Sequence, residues 1–289
     1  MLQGSSIRSR ICERTLGKRA FSDRLLNLIV CDSYAKEMRN LKITISFDGT
    51  EYSGWQRQDN AVTIQGEIEK ELSRICNNSI MLHGAGRTDA GVHALAMTAN
   101  FETASTIGLA ELQKALNSLL PPAIRIIHIE EVDTCFHSRF ATSTKTYLYN
   151  IDTSAIQSPM DRLYRVHIQQ KVSISDMEQC LATISGTHDF ASFEANGSRD
   201  KSITGGRGSV RTIHTATLNK TGENFYQFEI TGDGFLRHMV RNIVGTILDV
   251  GKGRTTRVEF KKILAANDRS VAGATAPAHG LFLKWIDYI

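Results

Sequence analysis

The chain has 289 residues, 41% hydrophobic and 22% charged, and its 34 Lys plus Arg exceed 30 Asp plus Glu to give a formal charge of +4. That is the composition of a globular protein of one large or two modest domains; no apolar run reaches the ~18–20 residues that cross a bilayer, which excludes a membrane-spanning helix, and the small basic excess permits a polyanionic partner without demanding one. Cys12, Cys31, Cys76, Cys135 and Cys180 form no CxxC pair and have no His partner at metal spacing, so buried thiols in a reducing, cytoplasmic setting are expected and a disulfide framework is not.

Residues 1–37 carry seven basic and four acidic side chains around one apolar run, Leu25 to Val30. Four acids argue against a targeting peptide; the segment is expected to be an extension, either flexible or upstream of a start at Met38. Patterned sequence begins at Leu41. Leu41, Ile43, Ile45 and Phe47 alternate with polar residues, predicting a strand, and Ile64, Ile68, Leu72 and Ile75 lie on one helical face. Strands are predicted at 79–83 and 94–101, a helix at 109–120 stopped by Pro121 and Pro122, and a strand at 124–132. The order is βαββαβ, a ferredoxin-like unit.

The second half repeats the unit. Strand 146–151 is followed by a helix at 173–185 opening at Ser173. Strands 210–218 and 224–231 flank the turn at 220–223; helices follow at 236–250 and 257–265, and strand 280–288 closes the chain. The fold class expected is thus α/β (α+β): two RRM-like units, 38–140 and 141–289, on joined, mostly antiparallel sheets. Such sheets are common RNA platforms, although the fold alone decides no function. Residues 194–209 break the repeat with four glycines and three basic residues, a loop that is either functional or disordered.

Three clusters carry potential chemistry. The first, GAGRTDAGVHA at 84–94, holds three glycines in eight residues, a backbone needing positive φ or close approach. It lacks the GK[ST] of a phosphate loop, so no nucleotide cofactor is expected. Asp89 and His93 are four apart, but glycines exclude a helix there and no further ligand is near, so no metal is expected. Asp89 and Arg87 remain: either a structural ion pair or a carboxylate held ionised for nucleophilic or base chemistry. In the second cluster, Arg237 and Arg241 share a face near the start of the predicted helix at 236–250, where cations oppose the helix dipole. That favours a nearby anion or, equally, a solvated basic face. In the third, Tyr147 and Tyr149 project from one side of a strand, where they can stack on bases or simply fill a core.

Taken together, GAGRTDAGVHA (84–94), KTYLY (145–149), GFLRHMVRNIVG (234–245) and the run from Gly280 to Leu283 resemble the TruA family of tRNA pseudouridine synthases. ITISFDGTEYSGWQRQ (43–58) and TIQGEIEKEL (63–72) are similar to that family too, and the likeness runs in matching order from Met38 to the end. The resemblance implies a pseudouridine synthase fold, a homodimer with a basic cleft, and a cofactor- and metal-free isomerase. Its substrate would be tRNA, with uridines 38, 39 and 40 of the anticodon stem-loop converted to pseudouridine. It implies Asp89 as catalytic residue, Arg87 displacing the target base, Tyr147 stacking on it and Arg241 pairing with Asp89. Leu281, or Leu283, would line the base pocket. Phosphate contacts are expected from Arg139, Lys145, Arg199, Lys201, Arg207 and Arg237. The stretch from Ile203 to Gly208 looks like an insertion relative to the family. The competing reading is a non-catalytic RNA-binding protein, which gives no reason for a carboxylate in a glycine-lined loop.

Overall fold

The structure, a computed structural model, describes residues 38–197 and 207–288. The expected extension 1–37, and Arg199 and Lys201, lie outside the described residues. The strands are β1 (Arg39–Phe47), β2 (His83–Gly84), β3 (His93–Thr103), β4 (Ile124–Val132), β5 (Thr142–Asp152), β6 (Val166–His167), β7 (Gly186–Asp189), β8 (Val210–Lys220), β9 (Phe225–Gly232) and β10 (Leu281–Tyr288). The helices are α1 (Ile64–Cys76), α2 (Leu109–Leu119), α3 (Ile174–Ile184), α4 (Met239–Gly251) and α5 (Arg257–Ala266). One sheet runs in the order β4-β1-β3-β10-β5-β9-β8-β7, with β2 paired to β3 and β6 to β5. Its neighbours are antiparallel except β10 with β3 and β6 with β5. The α/β class with a large, mostly antiparallel sheet is therefore as the sequence predicts.

Alternation places Leu41, Ile43 and Ile45 against Ile64, Ile68, Leu72, Leu112 and Leu116 of α1 and α2 in one buried cluster. Tyr149, Ile151, Phe228 and Ile230 form a second cluster with α3 and α4, and Tyr147 packs partly against both. Helix α1 begins where the Thr63 side chain accepts from Gly66 N–H and ends at Asn77 in the left-handed region, which satisfies end groups that would otherwise stay unpaired. Ser173 caps α3 in the same way, as its position predicted.

Two elements differ from expectation. The strand predicted at 79–83 shrinks to His83–Gly84. Leu82 does alternate inward, but its N–H donates to Glu69 Oε1 (2.9 Å) and its carbonyl accepts from Gln65 Nε2 (2.9 Å). Side chains of α1 take the place of a partner strand. The helix predicted from 236 begins at Met239, because His238 sits at φ 61°, a conformation that cannot continue a right-handed helix. Arg237 therefore lies before α4 and shares no helical face with Arg241.

Candidate active site

The glycine-rich segment 84–92 leaves β2, turns over the sheet and re-enters at β3. Ala85 N–H donates to Thr98 O (2.9 Å), Trp55 N–H to Thr88 O (3.1 Å) and Gly91 N–H to Tyr52 O (3.3 Å). The segment is thus held by the 48–55 turn, which explains two glycines. At Gly54 φ is +90° and a Cβ would stand 2.5 Å from Thr88 O; at Gly84 one would stand 2.5 Å from the Trp55 indole. Sequence reasoning placed 43–58 only by its family likeness; the spacing GxxxxGW carried the signal for this backbone-to-backbone support.

Asp89 rides at the crest of that segment with 23% of its side chain exposed. Its Oδ2 accepts from Arg241 Nη1 at 3.0 Å, and His238 Nε2 stands 3.5 Å from Oδ1. Arg241 is itself fixed, Nε donating to Ala276 O at 2.8 Å while Ala276 N–H returns to Arg241 O at 3.1 Å. Carboxylate and guanidinium thus come from opposite halves of the chain. Arg87 does not join them: it is exposed, and among the described residues it makes no ion pair or side-chain hydrogen bond. The structural Asp89–Arg87 ion pair is not formed. His93 also turns away. Its ring is buried against Phe282 (centroids 4.5 Å apart), and Nδ1 accepts from Gly49 N–H at 3.1 Å.

Tyr147 lies beside the carboxylate with its ring edge-on to Phe235, centroids 5.0 Å apart. Burial, reinforced by the charge of Asp89, pushes its phenol well above the usual tyrosine range, so it stays protonated. Burial holds His238 below the ordinary histidine range; Asp89 pulls the other way, and Arg241, Arg237 and Arg269 add to the lowering. The result is a carboxylate gripped on one oxygen, an uncharged histidine near the other, and a neutral aromatic wall.

The remaining expected residues divide. Leu281 pairs with Tyr149 across β5 and β10, whereas Leu283 stands opposite Tyr147; both are buried. Lys145 Nζ points inward and donates to Ala85 O at 2.7 Å. Burial, with a smaller push from the charge of Arg139, brings its pKa down to about 8, so it braces the Asp89 segment. Arg207 pairs with Asp233. Arg139 lies over the exposed Phe140 ring, 5.9 Å from its centroid, and Arg237 is exposed near His238. Sequence reasoning did not find His238, Arg269 or Ala276, whose contacts appear only once distant loops meet. Among the described residues no group of three or more His, Cys, Asp or Glu is arranged to hold a metal ion, and no helix is long and apolar enough to cross a membrane.

A family model described as tRNA pseudouridine synthase matches residues 43–141 and 181–288. The chain is 51% identical over 251 residues to "tRNA pseudouridine synthase A 1" of Desulfotalea psychrophila, covering 87% of this chain and all of that one. It is 43% identical to "tRNA pseudouridine synthase A" of Clostridium acetobutylicum and 41% identical to that of a Thermoanaerobacter species, with the same coverage of both chains.

Proposed function

The chain belongs to the tRNA pseudouridine synthase family, and from that premise we propose that Asp89 is the catalytic carboxylate of an isomerase converting uridine to pseudouridine in tRNA. The observation that carries this reading is the 3.0 Å Asp89–Arg241 contact between residues 152 apart in sequence, with Tyr147 beside it. An RNA-binding module has no use for a negative charge so placed, because it repels phosphate.

Pseudouridylation breaks the C1′–N1 bond, turns the uracil and joins C5 to C1′; the proton leaving C5 is balanced by one gained at N1. No electrons or groups are exchanged with a second molecule. The base must first leave its stack, at a cost of a few kcal/mol. Arg87, exposed and without an ion pair among the described residues, would fill the vacated space, and Tyr147 would stack on the extruded base, with Leu281 or Leu283 behind it. The register favours Leu283, directly opposite Tyr147. Arg241 fixes one carboxylate oxygen and leaves the other to act on C1′ or C6, or on a sugar proton. Such preorganisation converts binding into rate.

The target sites proposed are uridines 38, 39 and 40 of the anticodon stem-loop, with Arg139 and Arg237 on backbone phosphates, the enzyme acting as a cytoplasmic homodimer of two-lobed chains, 38–140 and 141–289. The test is incubation with unmodified tRNA, without metal or cofactor, and mapping of pseudouridine along the anticodon arm. Asp89→Asn should bind the tRNA and form none; appreciable turnover by that variant removes Asp89 from the chemistry.

A further inference from the structure

Beside the Asp89–Arg241 pair lies an open pocket of about 450 Å³ lined by Ala195, Asn196, Arg237, His238, Arg269, Ser270 and Thr275, large enough for a nucleotide-sized group. Neither arginine forms an ion pair among the described residues. The Arg237 side chain makes no hydrogen bond or ion pair among the described residues. Arg269 is half-buried and rigidly held, but by neutral acceptors: Ala272 O (3.1 Å), Asn242 Oδ1 (3.2 Å) and Thr275 Oγ1 (3.2 Å). These contacts use three of its five N–H donors. The neighbouring Asp268 carboxylate accepts from Ser270 N–H (2.9 Å) and Ser270 Oγ (2.7 Å). The charges of Arg237 and Arg269 both bear on His238, and the nearby Asp89 carboxylate is already engaged by Arg241.

We propose that this pocket seats a backbone phosphate of the RNA substrate, in a linkage directly flanking the nucleotide on which Asp89 acts. This rests on the function proposed above. Two guanidinium groups converging on one concavity repel each other, and a side chain fixed on neutral acceptors with donors to spare is organised for a ligand that only accepts. A phosphodiester meets both conditions and matches the guanidinium fork. A neutral base or sugar leaves the repulsion in place. Seating the phosphate here also holds the backbone on either side of an extruded base, so the pocket fixes where along the strand the uridine enters.

The test uses the full chain and an anticodon-arm RNA carrying a single uncharged methylphosphonate at the linkage 5′ or 3′ to the target uridine, with binding measured across a salt series. In the wild type one of the two neutral linkages should weaken binding and flatten the salt dependence by roughly 0.7 to 0.9 in slope, the signature of one lost phosphate contact. Arg237→Gln, at an exposed and unbonded position, should show the flatter slope with ordinary RNA and no further loss with the neutral linkage. A wild-type slope in Arg237→Gln, or equal effects of the neutral linkages on both proteins, overturns the proposal. Arg269→Lys should bind more tightly than Arg269→Gln; equal losses reduce Arg269 to a loop brace and overturn its part. Binding is read independently of turnover. If the wild type forms no pseudouridine but the linkage pattern holds, the functional reading fails and the pocket stands; pseudouridine without the pattern does the reverse.

Discussion

Replacing Lys145 by Met tests how the segment bearing Asp89 is held, because the amine is both buried and bonded to that segment through Ala85 O at 2.7 Å. Its pKa falls from 10.5 to about 8, mainly through burial. A base whose folded-state pKa lies below its unfolded value binds fewer protons when folded, so between those values stability rises with pH. Below pH 8 the amine is charged in both states and the full cost of burying it is present; above 10.5 that cost is gone. The gap between 10.5 and about 8 amounts to about 3 kcal/mol. About 2 kcal/mol of it is regained between pH 7 and 9.5, a rise of roughly 4–8 °C in Tm for a body of this size. The Met variant loses the amine's charge and leaves Ala85 O without its donor, about 1–3 kcal/mol the other way. The two proteins should therefore lie close in stability at pH 7 and diverge by pH 9.5, the wild type becoming the more stable. Urea unfolding at pH 7, 8, 9 and 9.5 measures this, and the ceiling keeps the buried phenols of Tyr147 and Tyr149, both pushed upward, out of the titration. Parallel curves for the two proteins would refute the reasoning: the amine would then be hydrated and would not hold the segment.

Two further substitutions probe the same assembly. Arg241→Lys keeps the charge but cannot reach Asp89 Oδ2 and Ala276 O together, as the guanidinium does at 3.0 and 2.8 Å; kcat should fall roughly 100-fold with KM little changed, followed by release of label from C5 of the target uridine, and a raised KM at full kcat would show that Arg241 binds RNA without orienting the carboxylate. Gly54→Ala forces a Cβ to 2.5 Å from Thr88 O at φ +90°, so the urea midpoint should drop by the equivalent of about 2 kcal/mol or more and kcat with it. Native stability and rate in that variant would mean that the 48–55 turn does not support the Asp89 segment.

Helices declared themselves wherever three- and four-residue spacing met a capping residue: Thr63 before α1 and Ser173 before α3 stand at the observed starts. Helix α4 starts three residues after its predicted place because the left-handed His238 follows apolar residues that continue the helical pattern. Local sequence holds no sign of such a break. The strand predicted at 79–83 shortens for a related reason: alternation at Ile80 and Leu82 reports burial, and burial here is against side chains of α1 rather than a strand. At the site, Asp89 and Tyr147 were visible through local composition, but the carboxylate's partner was not. Proximity in sequence pointed to Arg87, and only likeness to a family pointed to Arg241. Arg269 and Ala276 carry no motif at all, because their roles arise from loops that meet only in the folded chain.

The placement of β10 has a consequence for the order in which the protein can become whole. Residues 281–288 lie between β3 and β5, and these two strands share no pairing of their own; Phe282 pairs with His93 on one side and Leu283 with Tyr147 on the other. Synthesis from the N-terminal end therefore delivers both flanking strands, with bare hydrogen-bonding edges, long before the strand that closes them. Until it arrives the half bearing Asp89 and the half bearing Arg241 belong to separate sheets. The Asp89–Arg241 contact thus bridges two sets of strands that are joined in one sheet only through the last strand to be synthesised.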